Sequence, residues 1–162
     1  MSSCMGRTYH VRTLSESQLP QAYPLVQALA SEHSLNAWLS YAKGFVAKGI
    51  NAGGVLSAQD DAGYIYGLFC YEVVPDLGGG RVLVVEPFVA LDLVDRLGPI
   101  TVLIEAMERL AREQDCVSIH LQIPQRGDMR AVVDFRPFRA AGYKLEGVRL
   151  CRRLAQEDPR NI

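Results

Sequence analysis

The chain has 162 residues, 49% of them apolar, and a net charge of −1. That is enough to bury one good core, so a single domain over 1–155 with a polar C-terminal tail at 156–162 is expected. A near-neutral chain without a long basic run argues against nucleic acid as a partner, and no apolar run reaches the roughly 18 residues a membrane span needs.

The N-terminal stretch MSSCMGRTYH lacks the apolar centre of a signal peptide, so a soluble cytoplasmic protein is expected. Cys4, Cys70, Cys116 and Cys151 are widely spaced with no C-x-x-C pair, which predicts small buried hydrophobes rather than zinc or redox work. Tyr9 to Thr13 alternates and predicts a short first strand. A helix follows, beginning near Leu19-Pro20 with Ser17 or a neighbour as cap and carrying Leu25, Val26, Leu29 and Ala30. A second helix spaces Leu35, Trp38, Leu39, Ala42, Phe45 and Val46 on one face and ends at Lys48-Gly49. After Gly53-Gly54 the period changes. Val55 to Ala58, Tyr64 to Val74 and Arg81 to Asp92, separated by turn clusters at 59–63 and 75–80, predict an antiparallel three-strand meander. Pro87 cannot donate to a ladder, so a bulge or break is expected there.

The most informative stretch is 91–123. Ile100, Leu103, Ile104, Met107, Leu110 and Ala111 mark one buried helix face, while Glu105/Arg109 and Glu108/Arg112 support the solvated one. Gly98 and Pro99 set the helix start, because Pro loses nothing at a first-turn position whose N–H has no helical partner. Such a terminus directs free N–H groups and a positive dipole end at an anion above the preceding strand. Val117 to Ile123 then forms a strand parallel to the last one of the meander. Beyond a polar loop at 125–130, Ala131 to Ala141 predicts a helix interrupted at Pro137, with Arg136 pushed away from helical geometry. Gly142 ends it, and Tyr143 to Leu154 alternates as a last strand.

The order β-α-α-β-β-β-α-β-α-β is similar to that of the GNAT superfamily of N-acyltransferases, over nearly the whole chain. Tyr66-Gly67 resembles its hydrophobic-Gly pair, Phe138-Arg-Ala-Ala-Gly142-Tyr143 its C-terminal aromatic element, and Arg96-Leu97-Gly98-Pro99-Ile100-Thr101 its pyrophosphate loop. The resemblance implies an α/β (α+β) fold with a mixed, mostly antiparallel sheet of six to seven strands, helices on both faces, and a slot where the fourth and fifth strands splay. It implies transfer of an acetyl group from acetyl-CoA, without a metal, to a primary amine on a small molecule or peptide. Main-chain groups of Val89, Ala90 and Leu91 would hold the pantetheine arm. Leu97, Gly98, Ile100 and Thr101 would cradle the pyrophosphate, with Arg96 pairing a phosphate. An attacking amine must lose a proton, which calls for a carboxylate or His near the parallel pair. Glu86 and His120 are the candidates, with Glu72 behind them. The Trp38, Tyr41 and Phe45 stripe is of a kind more often core than ligand cage, yet in the resembling family the two early helices border the acceptor pocket.

Three positions depart from the family pattern. Asp95 stands where Arg or Gln is usual, Ile100 where a second Gly or Ala follows, and Phe138 where many members carry a proton-donating Tyr. An acid beside a pyrophosphate is repulsive by roughly 1 kcal/mol or more, and the Ile side chain limits close approach. Phe cannot donate a proton, so Tyr143 or a water would have to. These departures keep open a non-catalytic ligand-binding or interaction domain with a decayed CoA loop. A further alternative is another anion at the helix start, or an exposed strand edge pairing two copies into a homodimer. His120 alternates with Ile119 and Leu121, a place more often held by a satisfied sheet-face His than by a proton relay. His10 and His33 carry no pattern, and no metal site is expected.

Overall fold

The computed structural model describes residues 6–29, 31–123 and 134–154. The expectations for Cys4, Ala30, the loop at 125–130, the helix start at 131–133 and the tail lie outside them. The order is β1 (His10–Thr13), a 3-10 helix (Glu16–Ala22), α1 (Tyr23–Leu29), α2 (Leu35–Val46), β2 (Gly53–Gln59), β3 (Ile65–Pro75), β4 (Arg81–Ala90), α3 (Gly98–Glu113), β5 (Cys116–Leu121) and α4 (Arg136–Ala140). The strands form one sheet in the order β1-β2-β3-β4-β5. All neighbours are antiparallel except the parallel pair β4–β5.

Local chemistry explains the meander. In the β2–β3 turn the Asp60 carboxylate accepts from the amides of Ala62 and Tyr64, both at 3.0 Å, and Gly63 takes the positive φ of 88° that the reversal needs. Each face of the sheet then carries its own apolar layer. On one, Ile100, Leu103, Ile104, Met107, Leu110 and Ala111 of α3 pack with Phe69, Tyr71, Leu83, Val85 and Phe88 of the strands and Phe138 of α4. On the other, Leu19, Leu25, Val26 and Trp38 cover Val55, Leu68, Cys70 and Val89. Gly67 lets α3 approach: a Cβ there would lie 2.8 Å from Leu103 Cδ1 and 3.1 Å from the Val89 carbonyl oxygen.

Several expectations need correction. Of the serines around Ser17 it is Ser15 that precedes the first helical segment, which starts at Glu16 rather than near Leu19, and the Ser15 amide is bonded to the Gln18 side chain at 3.0 Å. β4 ends at Ala90 rather than Asp92. α4 starts at Arg136 instead of being interrupted, because Pro137 falls in its first turn. Among the cysteines Cys70 is buried, but Cys116 is intermediate and Cys151 exposed. The sheet has five strands rather than six to seven among the described residues. The predicted strand from Tyr143 to Leu154 is not in it. Leu145 is 94% exposed, and Val148, Leu150 and Leu154 also face solvent. Alternation signals a chain able to pair, but pairing needs an adjacent edge. After Gly142, at φ 94°, and Tyr143, packed edge-on to Phe138, the chain meets none.

Candidate active site

Two strand irregularities open a slot. β4 and β5 stay paired from Arg81/Cys116 to Val85/Leu121, with a last bond from the Gln122 amide to the Val85 carbonyl at 3.1 Å. Beyond that point β4 runs on to Ala90 with β3 as its one partner among the described residues. At the parting, Phe69 faces Phe88 while Tyr71 faces Val85, so Cys70 opposes both Glu86 and Pro87. That is a β-bulge on β4, at the proline where a break was expected.

The bulge sets which main-chain groups face the slot. The Leu91 amide donates to the Tyr66 carbonyl at 2.7 Å, toward β3. Strand alternation turns Val89 the same way and leaves the N–H and C=O of Phe88 and Ala90 on the slot side. Of Val89, Ala90 and Leu91, only Ala90 presents its main chain there. Phe88 does too, which sequence reasoning missed because the phase depends on the bulge.

Glu86 sits at the parting. Its carbonyl accepts from the Tyr41 hydroxyl at 3.2 Å, and its carboxylate accepts from Arg149 Nη1 at 2.6 Å. Burial, with the neighbouring Cys70 and Glu86, pushes the Tyr41 hydroxyl up to about 12. The aromatic stripe of α2 is thus divided. Trp38 is 3% exposed and donates from Nε1 to the Leu19 carbonyl at 2.8 Å, while Tyr41 reaches the parting. Glu72 is paired with Lys48. His120 is exposed, with Nε2 3.4 Å from Ser118 Oγ. Glu86, His120 and Tyr143 line one open channel. Tyr143 forms an aromatic run with Phe138 and Phe88, at centroid separations of 5.8 and 5.3 Å. Its buried hydroxyl has no partner among the described residues, and burial, aided by Glu108, pushes it up to about 12.

The start of α3 is organised differently from the expectation. Asp92, 7% exposed, accepts from Arg7 Nη1 at 2.7 Å, from the Tyr9 hydroxyl, and from the amides of Val94 and Asp95 at 2.8 and 3.1 Å. Although burial opposes it, these donors hold its carboxyl below the usual carboxylate range. The turn so fixed delivers Asp95 Oδ1 to the Gly98 amide at 2.9 Å. A Cβ on Gly98 would run into that carboxylate and the Tyr9 ring. Asp95 therefore meets the positive end of the helix from inside the chain. Pro99 has no N–H, and the Thr101 amide and hydroxyl both donate to the Leu97 carbonyl at 2.9 Å. Of the first-turn donors the Ile100 amide alone is left without a partner among the described residues. Arg96 and Leu97 are exposed beside it. The three-residue spacing from Asp95 to Gly98 is a capping distance, and it was the available signal.

No protein-family profile matches the sequence, and no curated protein matches it. Solved structures do. A Trypanosoma brucei acetyltransferase aligns at 19% identity over 91% of this chain and all of that one, with a TM-score of 0.69. An aminoglycoside N-acetyltransferase in complex with CoA aligns at 18% identity over 95% and 100% of the two chains, with a TM-score of 0.70. A ribosomal-protein-alanine N-acetyltransferase from Brucella melitensis aligns at 17% identity over 91% and 100%, with a TM-score of 0.67. At these identities the likeness is one of fold. The fold is that of the GNAT superfamily.

Proposed function

We propose that this chain, with its GNAT fold, is an N-acetyltransferase that moves an acetyl group from acetyl-CoA to the primary amine of a small molecule or peptide. The observation that carries the reading is the parting of β4 and β5 after Val85 and Leu121, which leaves the main-chain groups of Phe88 and Ala90 without a partner among the described residues and so able to bind the pantetheine amides. In direct attack the amine nitrogen bonds to the thioester carbonyl carbon and the C–S bond breaks. Glu86 or His120, acting through water, takes the proton the amine loses. Tyr143 keeps its proton at neutral pH and would give it to the departing thiolate, the role Phe138 cannot fill. Arg96 and the Ile100 amide would meet the pyrophosphate. With Asp95 on Gly98, and Leu97 and Thr101 bonded to each other, that grip is weaker than an open helix start would give, so a high KM for acetyl-CoA is expected.

One observation favours a second reading. The capped helix start suits a ligand-binding or interaction domain that has lost its CoA loop. Thermal unfolding with acetyl-CoA, other acyl-CoAs and free CoA, alongside thiol release with a panel of amines, separates the two. A ligand at a hundred times its Kd stabilises by about 2.7 kcal/mol. A shift with acetyl-CoA and amine-dependent thiol release support the transferase. No shift with any of them at millimolar concentration would overturn it in favour of the domain.

A further inference from the structure

Glu86 and Arg149 form an ion pair at the point where β4 and β5 part. Arg149 Nη1 lies 2.6 Å from Glu86 Oε1, and both side chains are open to solvent, Arg149 at 58% and Glu86 at 40%. Tyr41 reaches the same point from α2, its hydroxyl donating to the Glu86 carbonyl at 3.2 Å. Burial raises the pKa of that hydroxyl, and of the two nearby charges Glu86 adds to the rise while Arg149 opposes it. The three groups therefore surround one spot at the mouth of the slot.

An exposed pair of this kind contributes little to stability, so a ligand can share it at small cost to the fold. Its hydrogen bond takes one N–H of the guanidinium and one oxygen of the carboxylate. The guanidinium fork and the carboxylate each carry further positions for a hydrogen bond, and the fork matches the shape of a carboxylate.

The charges say what such a pair recognises. A polycationic amine needs several acids to receive it, whereas along the described lining of this channel basic side chains outnumber acidic ones. An amine without an acid group satisfies Glu86 and competes with Arg149 for it. An α-amino acid carries its opposite charges about 3 Å apart, across a single carbon, which is close to the separation within the pair. Laid antiparallel to the pair, with its ammonium beside Glu86 and its carboxylate beside Arg149, it completes a square of alternating charges in which every cation has two anionic neighbours.

We propose that the acceptor is a free α-amino acid, whose carboxylate is selected by Arg149 and whose ammonium is held by Glu86. The inference rests on the transferase reading for the fate of the amine, since the carboxylate that holds the ammonium is also placed to take its proton. Acetylation removes the positive charge, so the product keeps its contact with Arg149 alone and binds more weakly than the substrate.

Thermal unfolding of the full chain, without CoA, is measured with the standard amino acids at millimolar concentration, with their amides and N-acetylated forms, and with phosphoethanolamine. A free amino acid is expected to raise the midpoint. Its amide, which lacks the negative charge, is expected to bind about tenfold more weakly, the loss that goes with one hydrogen bond to a charged group. Arg149→Gln changes an exposed side chain and is expected to bind acid and amide alike, with unchanged circular dichroism and Trp38 fluorescence, while Arg149→Lys restores part of the preference. No shift with any amino acid, an amide or N-acetylated form bound as tightly as its parent, phosphoethanolamine bound more tightly than every amino acid, or a preference that survives Arg149→Gln would each overturn the assignment. The transferase reading fails separately: a shift with acetyl-CoA and with no amino acid leaves transfer and removes this acceptor, whereas a shift with an amino acid and with no form of CoA keeps the site and removes transfer.

Discussion

At Asp95 the carboxylate accepts from the Gly98 amide at 2.9 Å, so a bound pyrophosphate would meet both a spent donor and a like charge. Asp95→Asn keeps an oxygen for the cap and removes the charge. If the repulsion is about 1 kcal/mol, CoA should bind about fivefold more tightly to this variant in titration calorimetry, at a helix cost of a few tenths of a kcal/mol. Unchanged or weaker binding would show that the loop does not face the phosphates. Asp92 works on the fold instead. Its folded carboxyl is held below the ordinary value of 3.8, so its stabilisation is complete above about pH 4 and is lost as pH falls through the lowered value. Asp92→Asn leaves Arg7 without its charge partner and should cost about 1–3 kcal/mol in urea unfolding at pH 7. That difference should shrink at pH 3, and an equal difference at both values would contradict the assignment.

Among the elements, β4 does two jobs divided at its bulge. Up to Val85 it is a central strand with partners on both sides, and beyond Glu86 and Pro87 it is bonded, among the described residues, to β3 alone. Bound acetyl-CoA should therefore slow amide exchange at Phe88 and Ala90 while leaving Leu91, already bonded to Tyr66, unchanged. Protection at Leu91 without Ala90 would place the ligand elsewhere. α3 supplies the rigidity behind this strand, since its buried face packs on Phe69, Val85 and Phe88. The bulge was expected from Pro87, but its effect on strand phase was not. A proline marks where a ladder is interrupted, whereas the partner register determines which amides then turn outward.

For the whole molecule, the two apolar layers share one sheet, with Phe69 and Tyr71 facing one layer and Leu68 and Cys70 the other. Neither layer can lose its strands without exposing its neighbour, so unfolding should be a single transition. Trp38, the one tryptophan, reports the layer beneath α1 and α2, and circular dichroism at 222 nm reports every helix. Their midpoints in urea should coincide, and a Trp38 transition that precedes the other would mean that the layers unfold separately.

The order of elements from β1 to β5, the buried face of α3 and the bulge at Pro87 were legible in the sequence, because each rests on spacing within a few residues. Glu86, His120 and Tyr143 stood out in the sequence only by residue type, and that they line one channel came from the fold. What depended on tertiary structure were the roles set by distant partners. Asp95 is a cap because Tyr9 and Arg7, from the far edge of the sheet, hold the turn before it. Glu86 is paired because Arg149 crosses to it. Tyr143 to Leu154 has the pattern of a strand but no place in the sheet, because alternation records which residues can pair while only the assembled fold decides whether an edge lies within reach.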